Sequence, residues 1–267
     1  MEESSPAPNT KPKRSKTTSK TEKAAQDPDD DRTYHPAPID HPIYGLDGIM
    51  HHMMWRKAIR DGYPNSYKID PDYAKKPCTV FGHNGLAIGD CWPKMMCALR
   101  DGAHGTFPIQ SPGPQTLYLF TNEFSGDWRS GIHGSPTFGA YSILITQTYE
   151  EFDDDTGNMI WYSQVHADGS KKADLHKKGS KALLKSIETG KPVRVLRKQG
   201  GKWSGCPSMG ARYDGIYRVV EHDEGSNDKG DKFARFKLVR LAGQDEIREE
   251  RPTEKEKELF VKEKLGY

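Results

Sequence analysis

Arg212-Tyr213-Asp214-Gly215-Ile216-Tyr217-Arg218-Val219-Val220 is the stretch on which the fold turns. Ile216–Val220 within it is a short run of β-branched and aromatic residues. Such runs bounded by turn residues are strand signals. The same pattern recurs outward from it in both directions. From Val80 onward, Gly and Pro interrupt the chain at short intervals, and between them stand Leu117–Phe120, Tyr141–Thr148, Met159–Val165, Val193–Leu196 and Phe233–Leu241. Helical spacing is confined to three places. Lys181 to Ile187 reads as a short helix stopped by Thr189-Gly190-Lys191-Pro192. Thr253 to Lys264 reads as a charged helix that Leu259, Phe260 and Leu265 would dock. Residues 46–62, with Leu46, Ile49, Met53, Met54 and Ile59, suggest an amphipathic helix ended by Asp61-Gly62-Tyr63-Pro64. The fold class is therefore α+β and rich in strand, with helices flanking a β-centred middle and no internal repeat.

Composition divides the chain. Its 267 residues are 34% hydrophobic and 29% charged, and the large apolar side chains are nearly absent from the first forty positions. Residues 1–40, rich in Pro, Ser, Thr, Lys and Asp, cannot bury enough surface to offset chain entropy and read as a disordered tail. Residues 41–267 read as the folded domain. Within the tail, Lys11 to Lys20 is a basic cluster that suits a nuclear localisation signal, a loose phosphate-binding arm or a solubilising tail. No segment has the ~20 apolar residues of a membrane span, and the N-terminus has no secretory h-region. The cysteines at 78, 91, 97 and 206 lack CxxC spacing and read as reduced thiols of an intracellular protein.

The net charge of +2 conceals a separation of charge. Asp168 to Arg218 holds thirteen Lys or Arg against four acids, an excess of nine, and Glu150 to Asp155 packs five carboxylates into six positions. This pattern fits a basic face beside an acidic loop; a lysine-rich solvated surface fits the charge equally well. Enzyme signatures are missing. There is no GxSxG, HExxH, GxxxxGK[ST], kinase set or deaminase HxE with PCxxC, and Cys206 has no base near it in sequence. Adjacent His51-His52 point apart and make no metal site. Tyr149, Trp161 and Tyr162 flank the acidic loop, and the basic stretch follows. Aromatic faces beside positive charge suit nucleic acid, and a carboxylate among them is useful where it accepts a hydrogen bond from a base amino group. A core of aromatics with a polar turn would leave the same sequence.

Longer blocks resolve these alternatives. Gly131-Ile132-His133-Gly134 with Gly139-Ala140-Tyr141-Ser142, then Gly190-Lys191-Pro192-Val193-Arg194-Val195, then the Arg212–Val220 stretch resemble, in that order, the GIHG…GAYS, GKPVRV and RYDGIYxVV motifs of SRA (SET- and RING-associated), or YDG, domains. Phe81-Gly82 to Gly89-Asp90-Cys91-Trp92 is similar to that family's opening strand, which sets a motif core of 80–242. The resemblance implies a twisted, partly open β-barrel with flanking helices. It implies double-stranded DNA as partner, gripped at CpG, with 5-methylcytosine turned out of the helix and held between two aromatic rings.

Carried over by position, the resemblance makes Tyr149 the first stacking tyrosine and Tyr162 the second. The pocket aspartate falls on Asp153 if one residue is inserted after Tyr149, with Asp154 as second choice. Ser163 stands where the family has a threonine facing the base. Gly131, Ile132, His133 and Gly134 would lie along the DNA backbone, and Arg129 falls in the family's thumb loop, facing the minor groove or a phosphate. The family's finger loop, which reads the orphaned guanine, is expected to be missing or reduced to Lys171-Lys172 or Lys177-Lys178. Phe107–Gly126 is an insertion. Gln164-Val165-His166-Ala167-Asp168-Gly169 replaces the family's glycine-rich stretch and alters the pocket floor.

The function expected is a nuclear, non-enzymatic, stand-alone reader of modified cytosine with no metal and no cofactor, and with chromatin proteins as further partners. The rival from another class is a chromatin or ubiquitin-pathway adaptor with a diverged pocket. A third reading, a DNA-processing enzyme or its targeting subunit, finds no nuclease motif in the sequence.

Overall fold

A computed structural model of the chain describes residues 34–56, 66–105, 131–146, 153–164, 178–226 and 232–267. Tyr149, Arg129, Lys171, Lys172, Lys177, the run Leu117–Phe120, the insertion Phe107–Gly126 and the tail up to residue 33 lie outside the described residues. In chain order the elements are β1 (Met53–Arg56), β2 (Ser66–Ile69), β3 (Cys91–Trp92), α1 (Met95–Arg100), β4 (Ile132–Ser135), β5 (Gly139–Ile145), β6 (Asp154–Asp155), β7 (Met159–Gln164), α2 (Lys178–Thr189), β8 (Val193–Lys198), β9 (Ala211–Ser226), β10 (Lys232–Arg240) and α3 (Glu254–Lys262).

Strands β4-β5-β8-β9-β10-β7-β6 follow one another in a single sheet, with β3 pairing β9, while β1 and β2 form a separate hairpin. The path does not close on itself among the described residues, so the sheet is open. All its neighbours are antiparallel except β5 and β8. That parallel pair explains why its two strands are buried almost throughout. Successive side chains of a strand alternate between faces, and a parallel pair is usually covered on both. Ile143, Ile145, Val193 and Val195 turn to one cluster with Ile132, Ile160, Tyr162, Tyr217, Val219, Phe236, Leu238 and Leu183 of α2. Leu144 and Leu196 turn to the other, with Trp92, Tyr213, Met50, Met53 and Ala98.

Helix α2 seats closely on β4 and β5. Ser186 Oγ accepts from Ala140 N–H at 2.8 Å and donates to Ala182 O at 3.1 Å. Gly190, with φ 64°, ends the helix where the Thr189–Pro192 signal placed the stop. Helix α3 begins with a reciprocal capping box between Thr253 and Glu256. It docks through Phe260, whose ring lies beside Gly210. Leu259 is half-buried, and Leu265 is exposed and takes no part in docking.

Two sequence expectations are corrected. Residues 46–56 are turns leading into β1, not a helix. Gly45 and Gly48 make turns so tight that a Cβ would stand 2.5 Å from Ile39 O and 2.2 Å from Ile43 O, respectively. His52 adopts φ 54°. Met50 and Met53 still reach the core, which is why their spacing looked helical, but Leu46 is exposed. Likewise, Phe81 to Asp90 forms turns rather than an opening strand, and only Cys91–Trp92 is extended. Gly82, Asn84, Gly85 and Gly89 all have positive φ, outside the β region. Arg194, fully buried on β8, holds this loop by donating to Ala103 O, Cys78 O and Gly82 O at 3.1, 2.8 and 2.9 Å.

Packing also begins upstream of residue 41. His35 and Trp55 exchange backbone hydrogen bonds at 2.9 and 3.1 Å, and Tyr267 Oη accepts from Trp55 N–H at 3.0 Å. No helix among the described residues is long and apolar enough to cross a membrane.

Candidate nucleic-acid interface

β7 is registered against β10 so that Tyr162 lies opposite Phe236, and Ser163 opposite Arg235. Alternation turns Ile160 and Tyr162 inward. Trp161 therefore points to the other side, where the Arg235 guanidinium lies 4.5 Å and the Lys237 ammonium 5.4 Å from its ring centroid. Trp161 and Tyr162, adjacent in sequence, do not line one site. The Tyr162 ring is only 3% exposed. Its hydroxyl comes so near Gly131 that a Cβ on that glycine would be 2.0 Å away. Gly131 is thus a glycine because the tyrosine end fills the space a side chain would need.

Asp153 is the residue just before β6, the strand that pairs with β7. Its Oδ1 accepts from Ser163 N–H at 2.6 Å, a short charge-assisted geometry. The residue is half-buried, and Ser163 is fully buried. Burial raises the Asp153 carboxyl to about 7, against the pull of Ser163 and Lys202 and with a push from the Asp155 charge. Near neutral pH this group therefore changes charge over a narrow range, unlike an ordinary surface aspartate. Asp154, the second choice, is exposed. Asp155 turns the same way as Asp153, since residues two apart on an extended strand share a face. It pairs with Arg197 at 2.8 Å.

The remaining expected contacts separate. Gly131 is half-buried, whereas Ile132, His133 and Gly134 are buried. The His133 ring faces Tyr141 at 5.6 Å between centroids and lies against Gly105. A Cβ on Gly134 would be 2.6 Å from Ala140 Cα and 2.9 Å from Ala182 Cβ, so that glycine lets β4, β5 and α2 approach one another. Lys178 is exposed at the first position of α2.

Residues missed from sequence surround Asp153. Trp203 caps the turn at Gly157, where φ is 82° and a Cβ would be 2.6 Å from its ring. Exposed Lys202 is near enough to Asp153 to act on its charge. The only sequence signal for them was their place in the basic stretch. The described residues contain no cluster of His, Cys, Asp or Glu able to hold a metal ion. What the arrangement offers is an acceptor carboxylate beside a buried tyrosine, with positive charge at its edge. Such a set suits an amino-bearing aromatic ligand tethered to phosphate.

The SAD/SRA domain model matches residues 116–244. The E3 ubiquitin-protein ligase ORTHRUS 2 of Arabidopsis thaliana is 29% identical over 148 residues, 51% of this chain and 20% of that protein. The E3 ubiquitin-protein ligase UHRF1 of Rattus norvegicus is 34% identical over 120 residues, 35% of this chain and 15% of that one. The chain thus spans about a fifth or less of these relatives' length. Among solved structures, the SUVH5 SRA domain complexed with hemimethylated CG DNA is 26% identical, with TM-score 0.48, covering 63% of this chain and 99% of that one. The modification-dependent TagI restriction endonuclease is 28% identical, with TM-score 0.49, covering 61% and 53%.

Proposed function

We propose, since residues 116–244 match the SAD/SRA domain model, that this chain binds double-stranded DNA and holds a modified cytosine, turned out of the duplex, against Tyr162 and Asp153. The observation that carries the proposal is the Asp153–Ser163 pair. A half-buried carboxylate, held by the Ser163 backbone N–H at 2.6 Å and by the Ser163 side chain, has acceptor sites beyond these two for a cytosine N4 amino group. Turning the base out costs a few kcal/mol of stacking and pairing, which stacking and edge hydrogen bonds in the pocket must return. Tyr149 completes the stack in this proposal. Because Tyr162 is buried, its ring must be uncovered as the base enters.

Around the pocket, Gly131, Lys178 and Lys202 are the described groups placed to meet backbone or phosphate, with Arg129, Lys171, Lys172 and Lys177 as further contacts. The segment Ile132 to Gly134 acts from behind, by packing. Binding rather than catalysis is the role of this domain, and chromatin DNA in the nucleus is its setting. Ubiquitin ligase activity belongs to the names of the much longer relatives and is not proposed here.

The test is a titration of the chain with matched CpG duplexes, unmodified, hemimethylated and fully methylated, at about physiological salt. Tighter binding to a methylated duplex, abolished in Tyr162→Ala while unmodified DNA still binds, is expected. Equal affinity for all three would overturn the pocket. No binding at all would leave an adaptor.

A further inference from the structure

Arg197 is the next-to-last residue of β8, and its side chain is completely buried. An arginine there is expensive. Removing a guanidinium from water costs several kcal/mol even after relaxation, and a hydrocarbon of similar volume would fill the site without that cost. What it supplies is direction, since guanidinium carries five N–H donors in a fixed fork. All five are used. Nε and one Nη2 donor bind the two oxygens of Asp155, each at 2.8 Å. The second Nη2 donor binds Gly157 O at 2.8 Å. The Nη1 pair goes to Asp214 Oδ2 at 2.9 Å and Tyr217 Oη at 3.2 Å. Tyr217 in turn donates to Gly157 O at 2.6 Å.

Three of these five donors therefore end on one short segment, Asp155 to Gly157, which begins two residues after Asp153. Asp214 is held from the other side by Arg212, at 2.5 and 3.1 Å, which keeps the guanidinium from turning. Trp203 covers the assembly, its ring centroid 4.6 Å from the guanidinium carbon. Asp155 Oδ1 also accepts from Gly157 N–H at 2.9 Å, closing the turn. A segment this short, clamped at both the carboxylate and the carbonyl, has little freedom to shift along or away from β7. The carboxylate of Asp153 then meets Ser163 N–H at a set distance.

We propose that Arg197 is a positioning residue for the base pocket: by clamping Asp155 and Gly157 it fixes Asp153 at the height where a cytosine amino group is recognised. The proposal rests on the base-pocket reading above. Arg197 touches no DNA, and its effect is on discrimination, not on the electrostatic grip.

Asp155→Asn weakens the clamp with little change of shape, and Tyr217→Phe removes the hydroxyl between Arg197 and Gly157 while leaving the ring in the core. Each variant, shown by cooperative melting to be folded, is titrated with methylated and unmodified duplexes. The methylated-over-unmodified affinity ratio is expected to fall about tenfold, the size of one buried charge-assisted hydrogen bond, while affinity for unmodified DNA stays within about twofold. A merely structural role would lower both affinities together, and that result overturns the proposal. So does an unchanged ratio in a folded variant. If Asp155→Asn does not fold, Tyr217→Phe decides by the same criteria. A wild-type protein with no preference would overturn the pocket reading and this proposal with it, whereas a selective wild type with equally selective variants overturns this proposal alone.

Discussion

Asp153 is a carboxyl whose charge depends on pH in the range where proteins work. Burial favours its neutral form and raises it from the ordinary 3.8 to about 7. The sign follows directly. The group's contribution to stability is full below about 4, and it falls as pH rises toward 7, above which the buried charge is a standing cost. Asp153→Asn should therefore gain in Tm relative to wild type as pH goes from 5 to 8, read by thermal melting at each pH. An amino donor from a base favours the charged form, so the methylated-over-unmodified ratio should rise between pH 6 and 8 in wild type and stay flat in Asp153→Asn. Gly131 and Tyr162 make a second residue-scale case. Gly131→Ala forces its new Cβ into the tyrosine hydroxyl and is expected to cost roughly 1–3 kcal/mol as overpacking. Added to Tyr162→Phe, where the hydroxyl is gone, the same substitution should cost less, and a double-mutant cycle by urea unfolding measures the coupling. Asp153 was legible only through the family resemblance and one assumed insertion. Arg197 was not legible at all, because one of three basic residues in Val193–Lys198 looks the same whether it faces water or five acceptors inside the protein.

Elements read from sequence fared according to how local their determinants are. Helix α3 carries its start signal in four residues, Thr253 to Glu256, and the structure shows both halves of that capping box. Thr253→Ala should lower stability by about 1 kcal/mol, visible as a lower urea midpoint with unchanged slope, while DNA affinity is unaffected. Helix α2 and strands β5, β7, β8 and β10 were likewise legible, since turn residues bracket each run, whereas β9 runs from Ala211 to Ser226 and only its Ile216–Val220 part was read as strand. The helix expected over 46–62 is replaced by turns and β1 over its described part, 46–56, because apolar spacing is only a proxy for a helix. Met50 and Met53 reach the core from successive turns, and the backbone constraint at Gly45 and Gly48 outweighs periodicity. The Phe81–Asp90 segment failed for the same reason, with four residues of positive φ where a strand was expected.

The whole molecule is an open sheet with apolar clusters on both faces of its parallel β5–β8 pair. Strand order could not be derived from the strands themselves, because nothing local says that β5 pairs with β8 across the intervening β6, β7 and α2. The order matters to function. It places β6 and β7 at one end of the sheet, so the Asp153 segment has strand support on one side only, and buried Arg197 from the middle of the sheet reaches across to it. A base turned out of a duplex would meet this edge. Flipping is the central physical step, and it can be isolated from methyl recognition by weakening the pair that must be broken. The measurement is the affinity of the chain for a CpG duplex in which the 5-methylcytosine stands opposite adenine, compared with the same duplex having guanine there. With pairing already lost, binding to the mismatched duplex should be tighter by about tenfold or more, a part of the few kcal/mol that flipping costs. Equal or weaker binding to the mismatched duplex would contradict base flipping and point to recognition of the methyl group within the stacked helix.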